Sequence, residues 1–523
     1  MSARATVFAL TVAALLLRAA TLDAQSFWAD EAATVGVLRH SLAGVLTAVW
    51  DGESTPPLFY VLAWGWTQVA GIGEIGLRSL SVAFSAGTVP VVAALAWRVV
   101  VDGDGGALSG DRAAKPGVAA DPAAPVDRER AAGRAAVGAG ALAAVSPLMV
   151  WYGQEGRAYA LLMLLVAGAT LALLRALQSP SVRRLSVWTA LAVAAVWTHH
   201  FALFPVAAQA SWLLWVLRGR ALVAAGALAV AVAGLLPLLL HQREAGRASF
   251  IAEQSLPRRL TQIPKQVLTG YDGPAEVLLA VGGALAVLVA LTGLAAVVRS
   301  GAGAHVDGAR SSSPSPAVIV ISVTLAGVLL PVLAALAGQD FLLTRNVLGV
   351  LPLVLALLGA GAALLHRPPV GAAAIAVLTV TGVVCAVAVA VHPAYQRDDF
   401  RAAVAAATSG PAVPRLVVAD AEGRAPTQLY LGAQTSVADP GVPQTVREID
   451  VVRVAGAQPG RERVTPSVPP AALPAPFVVA ATARGRTWAV RRYVAPVPVA
   501  VDPSAIAAAL SPGRSSVVLR RGR

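Results

Sequence analysis

The chain has 523 residues, 57% of them hydrophobic and 13% charged, with a mean hydropathy of +0.69. A soluble protein of this length would carry nearly twice that share of charge, so the composition excludes an ordinary soluble enzyme. The formal charge of +13 comes almost wholly from arginine scattered over loops, which excludes a nucleic-acid-binding face.

A bilayer core of about 30 Å needs about 20 apolar residues in helical form. Runs of that kind lie at 5–22, 79–101, 135–151, 158–176, 186–200, 201–217, 221–240, 275–298, 316–337, 347–365 and 370–391, about eleven in all. The first is read as a retained span that also serves as targeting signal, because no small-residue cleavage site precedes Asp23. Cys385, the single cysteine, sits inside the last run and excludes an intramolecular disulfide. Placing the N-terminus inside puts the basic segments 102–134, 177–185, 218–220, 299–315 and 366–367 all on the cytoplasmic side. The outer loops are then 23–78, 152–157, 241–274, 338–346 and the tail.

Within the first outer loop, the apolar segment 57–70 is short and opens on Pro56-Pro57. Counting it as a span would turn every later basic loop outward. It is therefore expected as an interfacial helix, with Tyr60, Trp64 and Trp66 in the headgroup zone. The loop 102–134, rich in Gly, Ala, Pro and Asp, reads as a cytoplasmic linker. After Val391 the composition turns polar, with a helical pattern at 397–408 and strand-like runs at 415–419, 476–482 and 488–494. The expected architecture is mainly α: a polytopic membrane helical bundle over 1–391, followed by a small extracytoplasmic α/β domain over 392–523.

Polar residues are scarce, so those at the outer ends of spans carry the information. Asp30 and Glu31 follow the first span as adjacent carboxylates, suited to a general base and an anchor. The plainer alternative makes Asp30 the N-cap of an interfacial helix over 31–49. Glu53 stands before the extended Pro-Pro stretch, which holds it near that loop. Glu155 and Arg157 meet a span junction, either as a surface ion pair of little worth or as a phosphate-binding guanidinium at a cavity mouth. Tyr159 points the same way if its helix begins at the arginine.

His199 and His200 lack the spacing of a metal pair, and His200 is read instead as a hydrogen-bond donor to sugar or phosphate. Arg345 either anchors a span or neutralises a lipid phosphate, and Lys265 on the long outer loop is a further cation. All of these line one membrane face. A transporter would place ionisable groups in mid-membrane, at a cost of ~2.5–3.5 kcal/mol each; the span interiors here hold almost none.

Six stretches, taken in order, are similar to the GT-C superfamily of glycosyltransferases. They are W-A-D-E-A at Trp28, E-S-T-P-P-L-F-Y at Glu53, I-G-L-R-S-L-S-V-A-F-S-A-G-T at Ile75, S-P-L-M-V-W-Y-G-Q-E-G-R-A-Y-A-L at Ser146, T-H-H-F at Thr198 and T-R-N-V-L-G-V-L-P at Thr344. The chain most resembles bacterial protein O-mannosyltransferases and aminoarabinose transferases over about residues 5–391. The family's frequent His-Tyr and Arg-Tyr pairs stand here as His199-His200 and Arg345-Asn346.

The resemblance implies a donor sugar, mannose first, carried on a polyprenyl phosphate, and transfer at the extracytoplasmic face of the cell membrane. It makes Asp30 the catalytic carboxylate with Glu31 beside it, and maps the Q-E-x-R-x-Y motif onto Glu155, Arg157 and Tyr159. The acceptor, whether glycan, lipid or protein, stays open, as do arabinose, glucose and galactose as the sugar. Some superfamily members use a divalent metal and others do not. No phosphate-binding glycine loop for a nucleotide is present. A lipid or solute transporter is the alternative reading, and a non-catalytic envelope scaffold the third.

Overall fold

The computed structural model describes residues 2–102, 124–246, 250–251, 254–303, 314–410, 413–455, 475–511 and 515–521, with single positions 466, 468 and 473. Most of the expected linker at 102–134 therefore lies outside the described residues. The chain is mostly helical and forms two compact units. One comprises Met1–Ala20 with Ser41–Ala388; the other comprises Thr21–His40 with Val389–Arg523. Thr21–His40 thus groups with the tail and not with the helices that flank it in sequence.

In the first unit each expected span has its helix. Among the described residues seven helical runs are long and apolar enough to cross a membrane, or eight with the bent pair Asp127–Val145 and Pro147–Gly153. This is a multi-pass membrane protein. The other expected spans are helical too. The helices Ala3–Ala19 and Val182–Thr198 have 17 residues each, at the short end of a full crossing. The expected spans 201–217 and 221–240 are the helices Leu203–Leu217 and Leu222–Glu244, parted by the 3-10 turn Arg218–Ala221. Arg218 there takes a φ of 50°.

Burial separates central from peripheral helices. Thr344–Ala363 has 89% of its apolar window buried and Tyr159–Gln178 has 78%, whereas His200–Glu244 has 22%. Lipid tails drive no hydrophobic association between spans, so close packing of small residues has to hold the centre together. The crossing of Glu276–Gly303 with Leu351–Ala363 illustrates this: a Cβ on Gly293 would overlap the Gly361 carbonyl, and one on Gly361 the Ala290 carbonyl. The expected helix over 31–49 is two helices, Ala29–Leu38 and Leu42–Gly52, parted by the N-capping Ser41. Leu58–Ala70 is a separate 13-residue helix.

The second unit is built on a six-stranded sheet of order β2-β6-β1-β3-β5-β4. The strands are β1 Arg415–Asp420, β2 Thr435–Val437, β3 Gln444–Val454, β4 Val478–Arg484, β5 Trp488–Val501 and β6 Ser516–Arg521. β1 and β3 run parallel and the other pairings are antiparallel. Alternate residues build two cores, as strand geometry requires. Leu416, Val418, Ile449, Val451 and Tyr493 fill one face; Val417, Val452, Val490 and Leu519 fill the other against Ala403 and Val404 of helix Phe400–Ala407. The runs expected at 415–419, 476–482 and 488–494 correspond to β1, β4 and β5.

A charged cluster ties Phe400–Ala407 to this sheet. Arg492 binds Asp450 (Nε to Oδ1, 3.1 Å) and donates to the Ala407 carbonyl (2.7 Å). Arg415 donates to the same carbonyl (2.8 Å) and pairs with Asp450 (3.4 Å) and Glu448 (3.5 Å). Two guanidinium groups thereby occupy the negative end of the helix dipole.

Candidate functional site

In the second unit the acidic pair starts helix Ala29–Leu38. Trp28, not Asp30, is the N-cap residue, and its side chain makes no cap hydrogen bond. Asp30 and Glu31 occupy the first turn, where the unpaired backbone amides favour negative charge. Asp30 is partly exposed, whereas Glu31 is fully buried. Of the two, only Asp30 has surface to offer a substrate.

The stretch that leads into this helix is stitched to the tail. The Ser26 hydroxyl donates to the Asp398 carbonyl (2.9 Å) and accepts the Phe400 amide (3.0 Å). The Phe27 amide donates to the Tyr430 hydroxyl (2.7 Å), and the Arg397 amide to Gln25 Oε1 (2.8 Å). The Arg397 guanidinium lies 5.7 Å from the Trp28 ring centre. Helix Ala29–Leu38 packs on Arg424–Leu431.

In the first unit the polar cluster is assembled around a broken span. Pro147 has no N–H to give the Ala143 carbonyl, so Asp127–Val145 ends there and Pro147–Gly153 departs at 54°. The carbonyls left over at a helix end need other donors. Arg18, completely buried, supplies them: Nη2 to Ala143 (3.0 Å), Nη1 to Ala144 (2.8 Å) and to Ala14 (3.0 Å). Its Nε donates to Ser85 Oγ (2.9 Å). Gln154 then donates to the Arg18 carbonyl (2.8 Å), and the Arg157 amide to the Glu155 carbonyl (2.8 Å). These contacts set the course of the tight loop that carries Glu155 and Arg157.

Arg157 forms an ion pair with Glu53. Its Nη1 meets Glu53 at 3.2 Å and donates to the Tyr60 hydroxyl at 2.9 Å, with both charged side chains nearly buried. Tyr60 in turn shares a hydrogen bond with Thr55 (3.1 Å). The two helix ends explain the contact: Leu42–Gly52 stops at Glu53, and Leu58–Ala70 starts two residues before Tyr60. Glu155 is itself buried, at 1% exposure.

The helix after this loop begins at Tyr159, with Ala158 as its cap, and not at the arginine. The Tyr159 ring lies against Tyr152 (4.8 Å) and His199 (5.7 Å). His200 Nε2 meets Gln242 Oε1 at 3.0 Å, while the Gln242 amide donates to Val49 (3.2 Å) and Thr55 (3.3 Å). With the Gln242 nitrogen used as donor, its oxygen must accept, so His200 carries its proton on Nε2.

Lys265 donates to the Tyr271 carbonyl (2.7 Å) and pairs with Glu276. The Tyr271 hydroxyl is hydrogen-bonded to Tyr152, and burial pushes its phenol up, so it is neutral. Arg345 lies 5.8 Å from the Phe250 ring centre and, with Glu155, interacts electrostatically with Tyr271. His199 feels both Arg157 and Arg345. The first unit therefore gathers Glu53, Tyr60, Glu155, Arg157, Tyr159, Tyr271 and Arg345. Tyr60 closes the E-S-T-P-P-L-F-Y stretch, whereas Gln242 and Tyr271 carry no motif of their own, and only their partners reveal them. Among the described residues no group of three or more His, Cys, Asp or Glu side chains could hold a metal ion.

No family model matches the chain, and no curated protein matches it. Solved structures do. Over 93% of its length the chain is similar to ArnT from Cupriavidus metallidurans bound to undecaprenyl phosphate, covering 97% of that chain at 12% identity with a TM-score of 0.53. Against the apo ArnT structure the match spans 78% of this chain and 65% of that one, at 14% identity and a TM-score of 0.42. The first of these likenesses shows the fold: the chain is folded like ArnT.

Proposed function

We propose that the chain is a membrane glycosyltransferase that moves a sugar from a polyprenyl phosphate to an acceptor hydroxyl at the extracytoplasmic face. The observation that carries this reading is Arg157, held nearly buried by Glu53 and the Tyr60 hydroxyl. A planar guanidinium held in one orientation suits a phosphate. The ArnT structure of like fold holds undecaprenyl phosphate, which favours a lipid phosphate as the ligand.

The reaction is a single displacement with inversion. The acceptor oxygen bonds to the anomeric carbon as the carbon–phosphate oxygen bond breaks, and the electron pair leaves with the polyprenyl phosphate. Asp30 takes the hydroxyl proton. A carboxylate is a weak base at neutral pH, so transfer occurs late, and such assistance contributes roughly 10²–10⁴ in rate. The leaving phosphate needs no proton; it needs positive charge, which Arg157 and Arg345 supply. Lys265 is occupied by Tyr271 and Glu276 and acts on loop geometry before it acts on ligand. His200, already donating to Gln242, acts in the same way. Mannose is the first sugar to test, and a glycan, lipid or protein hydroxyl the acceptor.

Purified protein is expected to bind undecaprenyl phosphate, and Arg157→Ala to weaken that binding at least about ten-fold. Glycan and glycolipid profiling of a deletion strain, beside one carrying Asp30→Asn, is expected to show the same missing product at normal protein level. A strain with Asp30→Asn and an intact glycan profile would sink the reading.

A further inference from the structure

The tail lacks any recognisable sugar-binding motif, yet four hydrogen bonds from it reach residues 25–27, immediately before the acidic helix. They involve Gln25, Ser26 and the Phe27 amide, and they come from three places in the tail: the 397–398 turn, the amide of Phe400 and the hydroxyl of Tyr430. Buried bonds of this kind are costly to leave unmade, because the stranded donor loses its water as well as its partner. Ala29–Leu38 itself has 10 residues, too few to persist as an isolated helix in water, so its order comes from what it packs on. That surface is Arg424–Leu431, with Arg397 over the Trp28 ring.

We infer that the second unit is a holder for the acidic helix, and that Gln25, Ser26 and Tyr430 are positioning residues for Asp30. The role assigned to Asp30 rests on the glycosyltransferase reading; the holding of the helix does not. The tail then serves neither as a lectin nor as a spacer. It fixes the direction in which a short, otherwise unstable helix presents its one accessible carboxylate.

The test uses the full-length protein in detergent and in cells. Ser26→Ala and Tyr430→Phe each remove one hydroxyl, and the double variant removes three of the four hydrogen bonds between the tail and residues 25–27. Hydrogen exchange over Ala29–Leu38 is expected to speed up at least about ten-fold in the double variant, with no change over Tyr159–Gln178. Glycan product should fall by a similar factor while undecaprenyl phosphate binding stays within about two-fold of wild type.

Unchanged exchange over Ala29–Leu38 overturns the inference. So does a parallel loss of lipid binding, since the tail would then support the whole fold and not this helix. If wild-type protein makes no glycan and binds no undecaprenyl phosphate, the glycosyltransferase reading fails, and the exchange measurement still judges the inference.

Discussion

Arg18 carries its charge among neutral partners, completely buried, where its guanidinium caps the end of a broken helix. Arg18→Met would leave the Ala143 and Ala144 carbonyls with nothing to accept from, and should cost about 3 kcal/mol of stability. Arg18→Lys keeps the charge but not the fork, and should recover less than half of that. Thermal unfolding in detergent measures both. Glu53 is the matching case for an ion pair. Glu53→Gln leaves Arg157 nearly buried and only partly compensated, a loss of about 3–5 kcal/mol. A double-mutant cycle with Arg157→Gln should show strong coupling, and independent effects would contradict the pairing. Asp30, Glu155 and Arg157 were legible in the sequence because charged residues are scarce beside spans. The contact of Arg157 with Glu53 was not, since the two lie 104 residues apart.

At the level of elements, the break at Pro147 depends on a glycine as much as on the proline. A Cβ at Gly153 would lie 2.7 Å from Ser85 Oγ and 2.9 Å from Arg18 Nε, neither of which is free to move. Gly153→Ala is therefore expected to cost about 1–3 kcal/mol and to disturb the loop that carries Arg157. The helices were readable because each is a long apolar run, and the Arg218–Ala221 turn between two of them was readable from its two arginines. In the sheet, β3 escaped notice although it is central. Arg447, Glu448, Asp450 and Arg453 interrupt its apolar alternation, and two of those charges exist to bind neighbouring strands.

The same strand gives a pH prediction. Burial, with Glu448 beside it, raises the Asp450 carboxyl to about 7 from 3.8, against the pull of Arg492 and Arg415. A carboxyl raised on folding contributes stability that is full below about pH 4 and lost as pH rises through about 7. Hydrogen exchange of β1 and β3 should therefore quicken between pH 6 and pH 8 beyond its intrinsic rise. In Asp450→Asn that excess should vanish.

For the molecule as a whole, the topology read from arginine placement makes a direct claim. In a cysteine-free background, a cysteine at Arg128 should resist membrane-impermeant reagents from outside, and one at Arg401 should react. The reverse pattern would make Leu58–Ala70 a full crossing.

The stitching of residues 25–27 to the tail also has a temporal side. Ser26 and Phe27 lie 372 and 403 residues ahead of the partners they bond. At ~5–20 residues per second of synthesis, about 20–80 s separate the emergence of the two. Throughout that interval every apolar span after the first is made and threaded while the acidic helix still lacks its seat. The carboxylate is thus oriented only after the membrane portion has been laid down, a delay written into chain order that a circularly permuted gene would abolish.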